Sequence, residues 1–269
     1  SGQAKDSCKE IFHKLGPRIL FVTDRGLMSL GLTKPTIDQL NKIGAVKVFD
    51  EVEADPSKKT LLSAIEIGKE FKATGVIGFG GGSSMDVAKL SALILGSNED
   101  LESAWGVSKA KGPRLPLVLV PTTAGTGSEV TPVSIITVGE EEKKGVSSAI
   151  ILPDIAILDP DLTLGLPART TASTGIDAMV HAIEGYASSN KNNNPISKML
   201  AIEALKLLGR SIETAVFEGS NVEARGNMLF GAMFAGKAFA NSPVAAVHAL
   251  AYPIGGTFHV SHGLSNSLV

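Results

Sequence analysis

The first half of the chain alternates short apolar runs with amphipathic segments, and this alternation limits the fold more than any other feature. The runs are rich in Val, Ile and Leu, whereas the segments between them place apolar residues at helical spacing. Apolar strands that alternate with helices form parallel sheets covered on both faces. We therefore predict an α/β domain with a parallel sheet. Its predicted strands are residues 18–24, 45–50, 75–79 and 116–121.

The pattern changes after two further strand-like runs, at residues 133–137 and 149–159. From about Leu166 onward the sequence is rich in Ala, Leu and Met, and its periodicity is helical. The predicted helices of this part are residues 177–186, 195–216 and 222–239. The predicted domains are an α/β domain at 1–165 and an all-α domain at 166–269.

Composition and charge exclude several classes of partner. The formal net charge is −2, and the local charge runs mix both signs, so no segment is suited to neutralising nucleic acid or anionic lipid. No apolar run reaches the roughly 20 residues of a membrane span, and the first residues lack the layout of a signal peptide. With a single cysteine, Cys8, we expect a cytoplasmic protein without nucleic-acid or membrane partners.

Both ends of the sequence look cut. The start, SGQAKDSC, opens directly into a helix, and the end, GLSNSLV, is apolar and lacks a capping signal. We therefore expect a chain truncated at both ends, with an incomplete helical domain.

A glycine-rich turn, GFGGGSSMDVAK at residues 78–89, lies between an apolar strand and an amphipathic helix. Glycines let backbone N–H groups approach a phosphate, and a helix N-terminus adds partial positive charge, which predicts a pyrophosphate site. The arrangement is not the standard Rossmann one, because Ser83 takes the third glycine position and the turn follows the third strand. The alternative is an ordinary turn in which Ser83 caps the helix and Asp86 adds a first-turn acid.

A second loop, PTTAGTGSEVTP at residues 121–132, is dense in small hydroxyl residues and glycine. Open α/β sheets bind ligands at the carboxyl ends of their strands, so the two loops together favour a nucleotide over ordinary turns. Asp24 ends the first strand, where a carboxylate can accept hydrogen bonds from ribose hydroxyls and would repel a 2′-phosphate. We therefore predict NAD rather than NADP, with a helix N-cap as the alternative role of Asp24.

Two segments of the second half contain candidate metal ligands. Asp177 and His181 lie four apart in a helical stretch, so both side chains project from one face, although a simple hydrogen-bonded pair is the alternative. His248 and His262 would lie about 21 Å apart on one straight helix. The proline and glycines within 253–256 can fold the chain back and let the two histidines meet. A carboxylate with three imidazoles favours Fe²⁺ or Zn²⁺ over Mg²⁺ or Ca²⁺.

Taken together, these motifs resemble one family. GGGSSMDVAK, PTTAGTGSEVT, LPDIAILDP, the Asp177/His181 helix and HALAYPIGG followed by HG occur in the order seen in iron-containing alcohol dehydrogenases. The resemblance covers essentially the whole chain. It implies a dinucleotide domain, a helical domain and NAD-dependent interconversion of a small alcohol and an aldehyde or ketone, assisted by Fe²⁺ or Zn²⁺. We also expect a homo-oligomer, as a dimer.

Carried over position by position, the resemblance implies roles for individual residues. The implied metal ligands, which are also the catalytic residues, are Asp177, His181, His248 and His262. The implied pyrophosphate loop and helix start are Gly81, Gly82, Ser83 and Asp86. Further implied cofactor contacts are Thr122, Thr123, Thr126, Ser128 and Lys144, and Asp24 resembles the residue associated with NAD preference.

The chain departs from the family pattern at Tyr252, where many members carry a further histidine, and this predicts a different lining of the substrate pocket. His259 is a candidate proton relay, with an exposed loop histidine as the alternative. Three other functions stay open. They are a zinc polyol dehydrogenase of the glycerol dehydrogenase type, a lyase resembling dehydroquinate synthase, and an inactive nucleotide-binding fragment. Ser83 favours the alcohol branch over the polyol enzyme, and the second half has few of the basic residues that the lyase would need.

Overall fold

The computed structural model describes residues 2–139, 142–242, 246–258, 260 and 262–269, with side chains at all of these except 252, 253, 255–257 and 262. The chain forms two compact units. The α/β unit is Ser1–Pro121 with Pro132–Asp159, and the helical unit is Thr122–Thr131 with Pro160–Val269. Among the described residues, no helix has both the length and the apolar character needed to cross a membrane.

The α/β unit alternates strands and helices, as predicted. Its strands are β1 (Arg18–Val22), β2 (Ala45–Phe49), β3 (Gly75–Gly80), β4 (Gly106–Val107), β5 (Leu117–Pro121), β6 (Val133–Val138), β7 (Glu142–Ser147) and β8 (Ile155–Ala156). Its helices are α1 (Gln3–Asp6), α2 (Cys8–Leu15), α3 (Arg25–Ser29), α4 (Lys34–Leu40), α5 (Lys58–Glu70), α6 (Gly82–Ser97) and α7 (Leu101–Ala104).

The main sheet is parallel, with the strand order β2-β1-β3-β5-β8. Every residue of β3 and β5 is buried, as expected for parallel strands covered on both faces. The rings of Phe21 and Phe79 stack between β1 and β3 with centroids 5.4 Å apart. The predicted parallel sheet is confirmed. Its order reverses at β1, because β2 and β3 pair with opposite edges of that strand, and such switch points are where open α/β sheets bind ligands.

Of the two further strand-like runs, one is confirmed and one needs correction. The run at 133–137 is a strand, β6, and it pairs antiparallel with β7 in a separate three-stranded sheet. The run at 149–159 is mostly not a strand, since a 3-10 helix occupies Ala149–Ile151 and β8 has two residues. The Ser148 side chain accepts a hydrogen bond from the Ile150 N–H, and Pro153 has no N–H to offer a ladder, so polar capping and proline chemistry override the apolar pattern.

The helical unit confirms the change of pattern in the second half. Its helices are α8 (Ala168–Ala187), α9 (Pro195–Phe217), α10 (Val222–Asn241), α11 (Ala246–Phe258) and α12 (His262–Leu268), with 3-10 helices at Ser128–Val130 and Pro160–Thr163. α8, α9 and α10 pack on one another around a core in which alanine predominates. Small side chains let the helices approach closely, and at Gly231 an added Cβ would lie 2.6 Å from the Leu208 side chain.

The loop 122–131 belongs to the helical unit, although it follows a strand of the main sheet. Gly127, at φ +60°, lies directly against Gly236 of α10, where a Cβ added to Gly127 would be 2.7 Å from the Gly236 Cα. A Cβ on Gly125 would likewise lie 2.8 Å from Thr174 of α8. Side chains at these glycines would push the loop away from the helices.

Candidate functional site

Asp177 and His181 lie on one face of α8, as their spacing predicts. The Oδ2 atom of Asp177 is 3.9 Å from Nδ1 of His181, and the two side chains are only 2% and 6% exposed. The ring of His181 packs against Phe239 of α10, with centroids 5.2 Å apart. Burial between helices therefore keeps both polar side chains away from bulk water.

His248 of α11 completes a cluster of three donors. Its Nε2 atom lies 3.8 Å from Oδ1 of Asp177, and its ring centroid lies 4.5 Å from that of His181. Taking one donor atom from each residue, all three lie within 4.8 Å of one another. Two ligands of one tetrahedral cation, each about 2.1 Å from it, would lie about 3.4 Å apart, so these separations suit a shared divalent ion.

The fourth predicted ligand, His262, begins α12, but its side chain lies outside the described residues. His259 and the side chain of Tyr252 also lie outside them. The predicted fold-back within 253–256 is wrong, because α11 continues through these positions to Phe258. α12 then packs on α8, where a Cβ added to Gly263 would lie 2.6 Å from the Ser173 carbonyl oxygen.

Asn266 on α12 points its amide group into the cluster, a contact that our reading of the sequence missed. Nδ2 of Asn266 lies 2.5 Å from Oδ1 of Asp177 and 3.1 Å from Nε2 of His248. An amide nitrogen only donates, so Nδ2 of Asn266 directs its hydrogens at lone pairs on Asp177 and His248. A cation bound at the cluster would use the same lone pairs. The buried donor set therefore converges on a position that attracts positive charge.

Glu184, one turn after His181 on α8, was also missed. Oε2 of Glu184 lies 2.6 Å from Nδ1 of His248, and its other oxygen accepts a hydrogen bond from the backbone N–H of Val247 at 2.6 Å. Its side chain is 5% exposed. The sequence signals for Glu184 and Asn266 are their positions three and four residues after candidate histidine ligands on the same helices.

In the α/β unit, the glycine-rich turn leads directly into α6. The helix begins at Gly82 after Gly81 as N-cap, so the alternative in which Ser83 caps the helix is wrong. Because Gly81 has no side chain, it makes no side-chain hydrogen bond to the first-turn N–H groups. Gly80 has φ +153°, and a Cβ there would lie 2.6 Å from the Ser84 hydroxyl oxygen and 3.3 Å from the Leu27 side chain. Only glycine fits at this close approach.

Asp24 and Asp86 both have structural roles in the same unit. Oδ1 of Asp24 accepts a hydrogen bond from the Leu27 N–H at 2.9 Å and so caps α3, which is the alternative role that the sequence left open. Leu27 also contacts the position of Gly80, so Asp24 lies near the glycine turn. Oδ2 of Asp86 accepts a hydrogen bond from the Ile135 N–H at 2.9 Å and joins α6 to β6.

The other residues assigned by resemblance are divided between the units. Lys144 lies on β7 of the α/β unit, with Nζ 3.9 Å from Oε1 of Glu142. The hydroxyl residues belong to the loop of the helical unit, where the Thr126 hydroxyl accepts a hydrogen bond from the Ser128 N–H at 3.2 Å. These are Thr122, Thr123, Thr126 and Ser128.

The single cysteine does not take part in this chemistry. Burial, reinforced by the nearby Asp6 carboxylate, raises the pKa of the Cys8 thiol to about 11. At neutral pH the thiol is therefore protonated, and it is a poor nucleophile and metal ligand.

The fold and the buried cluster define a two-unit protein with a candidate metal centre. Comparison with known proteins gives the family. The sequence model of the iron-containing alcohol dehydrogenase family matches residues 2–160, and the sequence model of the family's C-terminal part matches residues 171–269. The chain belongs to the iron-containing alcohol dehydrogenase family, and the resemblance stated from its motifs is confirmed.

Individual relatives support this assignment. The chain is 43% identical over 261 residues to long-chain-alcohol dehydrogenase 1 of Geobacillus thermodenitrificans, a match that covers 95% of this chain and 65% of the relative. The structure of an alcohol dehydrogenase from Oenococcus oeni superposes with a TM-score of 0.95 at 34% identity, covering 99% of this chain and 70% of that one. A sulfoacetaldehyde reductase from Bifidobacterium kashiwanohense, solved in complex with NAD⁺, superposes with a TM-score of 0.90 at 34% identity, covering 100% and 71%. The chain thus spans about two thirds of the length of its relatives.

Proposed function

We propose that this chain interconverts an alcohol and an aldehyde or ketone, using NAD and a divalent cation, Fe²⁺ or Zn²⁺. The observation that carries the proposal is the convergence of donor atoms from Asp177, His181 and His248 within 4.8 Å in a buried region. We assign His262 as the fourth ligand on the basis of the family resemblance.

The donor set fits the proposed cation. One carboxylate and neutral imidazoles suit Fe²⁺ or Zn²⁺, and the carboxylate of Asp177 offsets part of the positive charge. When bound, the cation would supply Lewis-acid polarisation of the substrate oxygen. NAD⁺ would accept the hydride in alcohol oxidation, and NADH would donate it in the reverse direction. Burial of the three side chains excludes water, which would otherwise compete for the cation and weaken its electrostatic effect.

We propose that NAD binds in part at the turn from β3 into α6. The N–H groups at the start of α6 would receive the pyrophosphate, helped by the close backbone approach that Gly80 permits. The proposed contacts are Asp24, Gly81, Gly82, Ser83, Asp86, Thr122, Thr123, Thr126, Ser128 and Lys144. We propose residues 1–165 as the NAD-binding domain and residues 166–269 as the metal-binding domain. These bounds differ from those of the two compact units at the loop 122–131 and at residues 160–165, which belong to the helical unit. A cytoplasmic homodimer acting on small molecules remains part of the proposal.

Alcohol-dependent formation of NADH tests this function. The purified chain is incubated anaerobically with NAD, primary alcohols and either Fe²⁺ or Zn²⁺, and NADH absorbance is followed. We expect NADH only when alcohol and cation are both present. Turnover of polyols with Zn²⁺ alone would favour the glycerol dehydrogenase type. Loss of a phosphate-bearing substrate without net NADH would favour the lyase, and nucleotide binding without any turnover would identify an inactive fragment.

Asp24 provides a prediction about cofactor preference. Replacing Asp24 with asparagine should leave the α3 cap intact, because asparagine caps helices as well as aspartate does. It should remove the charge that would repel a 2′-phosphate, so we expect the ratio of NADPH to NADH affinity to rise by about tenfold. Calorimetric titration with both nucleotides measures the ratio, and the melting temperature should stay unchanged. An unaltered ratio would place the 2′ position away from Asp24.

A further inference from the structure

Glu184 contacts the ring of a candidate metal ligand, His248, and the backbone of the preceding residue, Val247, at the same time. One carboxylate oxygen lies 2.6 Å from Nδ1 of His248, and the other accepts the N–H of Val247, next to His248 in α11. The side chains of Glu184 and His248 are both at least nine-tenths buried. A buried carboxylate is costly to desolvate unless its oxygens are hydrogen-bonded, and both oxygens have such a partner. Glu184 therefore fixes both the ring of His248 and the start of α11.

The same contact determines which nitrogen of His248 carries the proton. An ionised carboxylate can only accept, so Nδ1 must be the donor toward Glu184. Nε2 then presents its lone pair, and this agrees with the amide nitrogen of Asn266, a donor, at 3.1 Å from Nε2. Two independent contacts thus favour the Nδ1–H tautomer. In this tautomer, the lone pair of Nε2 lies on the side of Asp177, 3.8 Å from its Oδ1 atom.

We propose that Glu184 is a positioning residue for the cation site, an inference that rests on the proposed function. It holds His248 in the Nδ1–H tautomer and fixes the ring orientation, so that Nε2 faces the donor atoms of Asp177 and His181. It also adds a negative charge outside the ligand layer, which favours a cation at Nε2. Carboxylates that hydrogen-bond to ligand histidines commonly set both tautomer and affinity in this manner.

Two substitutions test the carboxylate of Glu184. Glu184→Gln keeps the shape of the side chain and an oxygen for the Val247 N–H, but it removes the charge and turns an amide nitrogen, which only donates, toward Nδ1 of His248. Glu184→Ala removes every contact to His248. The matched control is Glu213→Gln on α9, an exposed position away from the cluster. Unfolding of the cation-free proteins is followed by circular dichroism, and we expect Glu184→Gln to melt close to the wild type.

Binding of Zn²⁺, measured by calorimetry, tests the inference without relying on activity. We expect Glu184→Gln to weaken Zn²⁺ binding about 10-fold and Glu184→Ala about 100-fold, with Glu213→Gln unchanged. Affinity for NADH should not change in any variant. In Co²⁺-loaded protein, the visible spectrum of Glu184→Gln should differ from that of the wild type, which a merely structural role would not produce. Nitrogen NMR of the His248 ring should show the Nδ1–H tautomer in the wild type and a mixture in Glu184→Ala.

The outcomes distinguish this inference from the proposed function. Wild-type protein that binds Zn²⁺, with equal affinity and the same tautomer in both Glu184 variants, would overturn the positioning role alone. Wild-type protein that binds neither Zn²⁺ nor Fe²⁺ would overturn the proposed function together with the inference.

Discussion

Replacing Asp177 with alanine is expected to lower the affinity for Zn²⁺ or Fe²⁺ by at least about a hundredfold, because loss of a partner outside the ligand layer already costs about 10–100-fold. Asp177 is the carboxylate of the three described donors, so its loss also leaves the bound cation with less compensation of charge. Alcohol-dependent NADH formation should disappear, since substrate polarisation requires the cation. NADH affinity should be retained at the glycine turn of the other unit.

A second variant protects this prediction against simple misfolding. Alanine at position 177 also removes the acceptor for the buried amide of Asn266, which is expected to cost about 1–3 kcal/mol of stability. Asp177→Asn has nearly the same shape and keeps an oxygen for Asn266, yet lacks the charge that favours a cation. We expect a stable fold with strongly weakened Zn²⁺ binding.

Calorimetric titration with Zn²⁺ and, separately, with NADH distinguishes loss of the cation site from loss of the fold. The control is Glu203→Ala, because Glu203 lies on α9 in an exposed pair with Lys206. Its removal should alter neither titration. His262→Ala extends the test to the proposed fourth ligand, and it should lower the affinity for Zn²⁺ in the same way. Zn²⁺ affinity within twofold of the wild type in Asp177→Asn would move the cation site elsewhere.

Local patterns predicted the main sheet and the long helices, because both depend on periodicity within one element. β3 and β5 are buried over their full length, so their uninterrupted apolar runs are readable from sequence alone. α9 and α10 begin where predicted, and each ends within two residues of its predicted bound. α8 also ends close to its predicted bound, but it begins at Ala168, well before the predicted start at Asp177. The exceptions arise where local polar chemistry competes with the apolar pattern, as in the 3-10 turn that replaces a strand at Ala149–Ile151.

The candidate site was only partly readable for a related reason. The pair Asp177 and His181 follows from helical spacing, which reaches one or two turns along a chain. Glu184 and Asn266 meet partners 64 and 89 positions away, contacts that depend on how α8, α11 and α12 pack. Both residues lie at helical spacing from candidate histidine ligands, but that spacing does not show which distant partners they meet. Their significance appears only once the helices are assembled around the three donors.

Gly236→Val is expected to destabilise the helical unit and to displace the loop 122–131. A Cβ on Gly236 would lie 2.9 Å from both the Cα and the carbonyl oxygen of Gly127 and 3.0 Å from the Val130 side chain. Two of these atoms are backbone, so the contact cannot relax through a side-chain rotation. Overpacking of this kind costs about 1–3 kcal/mol. For a chain of this size, that corresponds to a fall in melting temperature of roughly 2–12 °C.

Gly236→Val should also lower the affinity for NADH, because the displaced loop carries four proposed cofactor contacts. These are Thr122, Thr123, Thr126 and Ser128. Gly226→Ala is the matched control on the same helix, α10, where an added Cβ would meet nothing nearer than Pro160, at 4.0 Å. Alanine there should stabilise the helix by up to about 1 kcal/mol. Thermal unfolding and NADH titration of both variants complete the comparison. Equal melting temperatures would show that the loop does not depend on the close approach of Gly127 to α10.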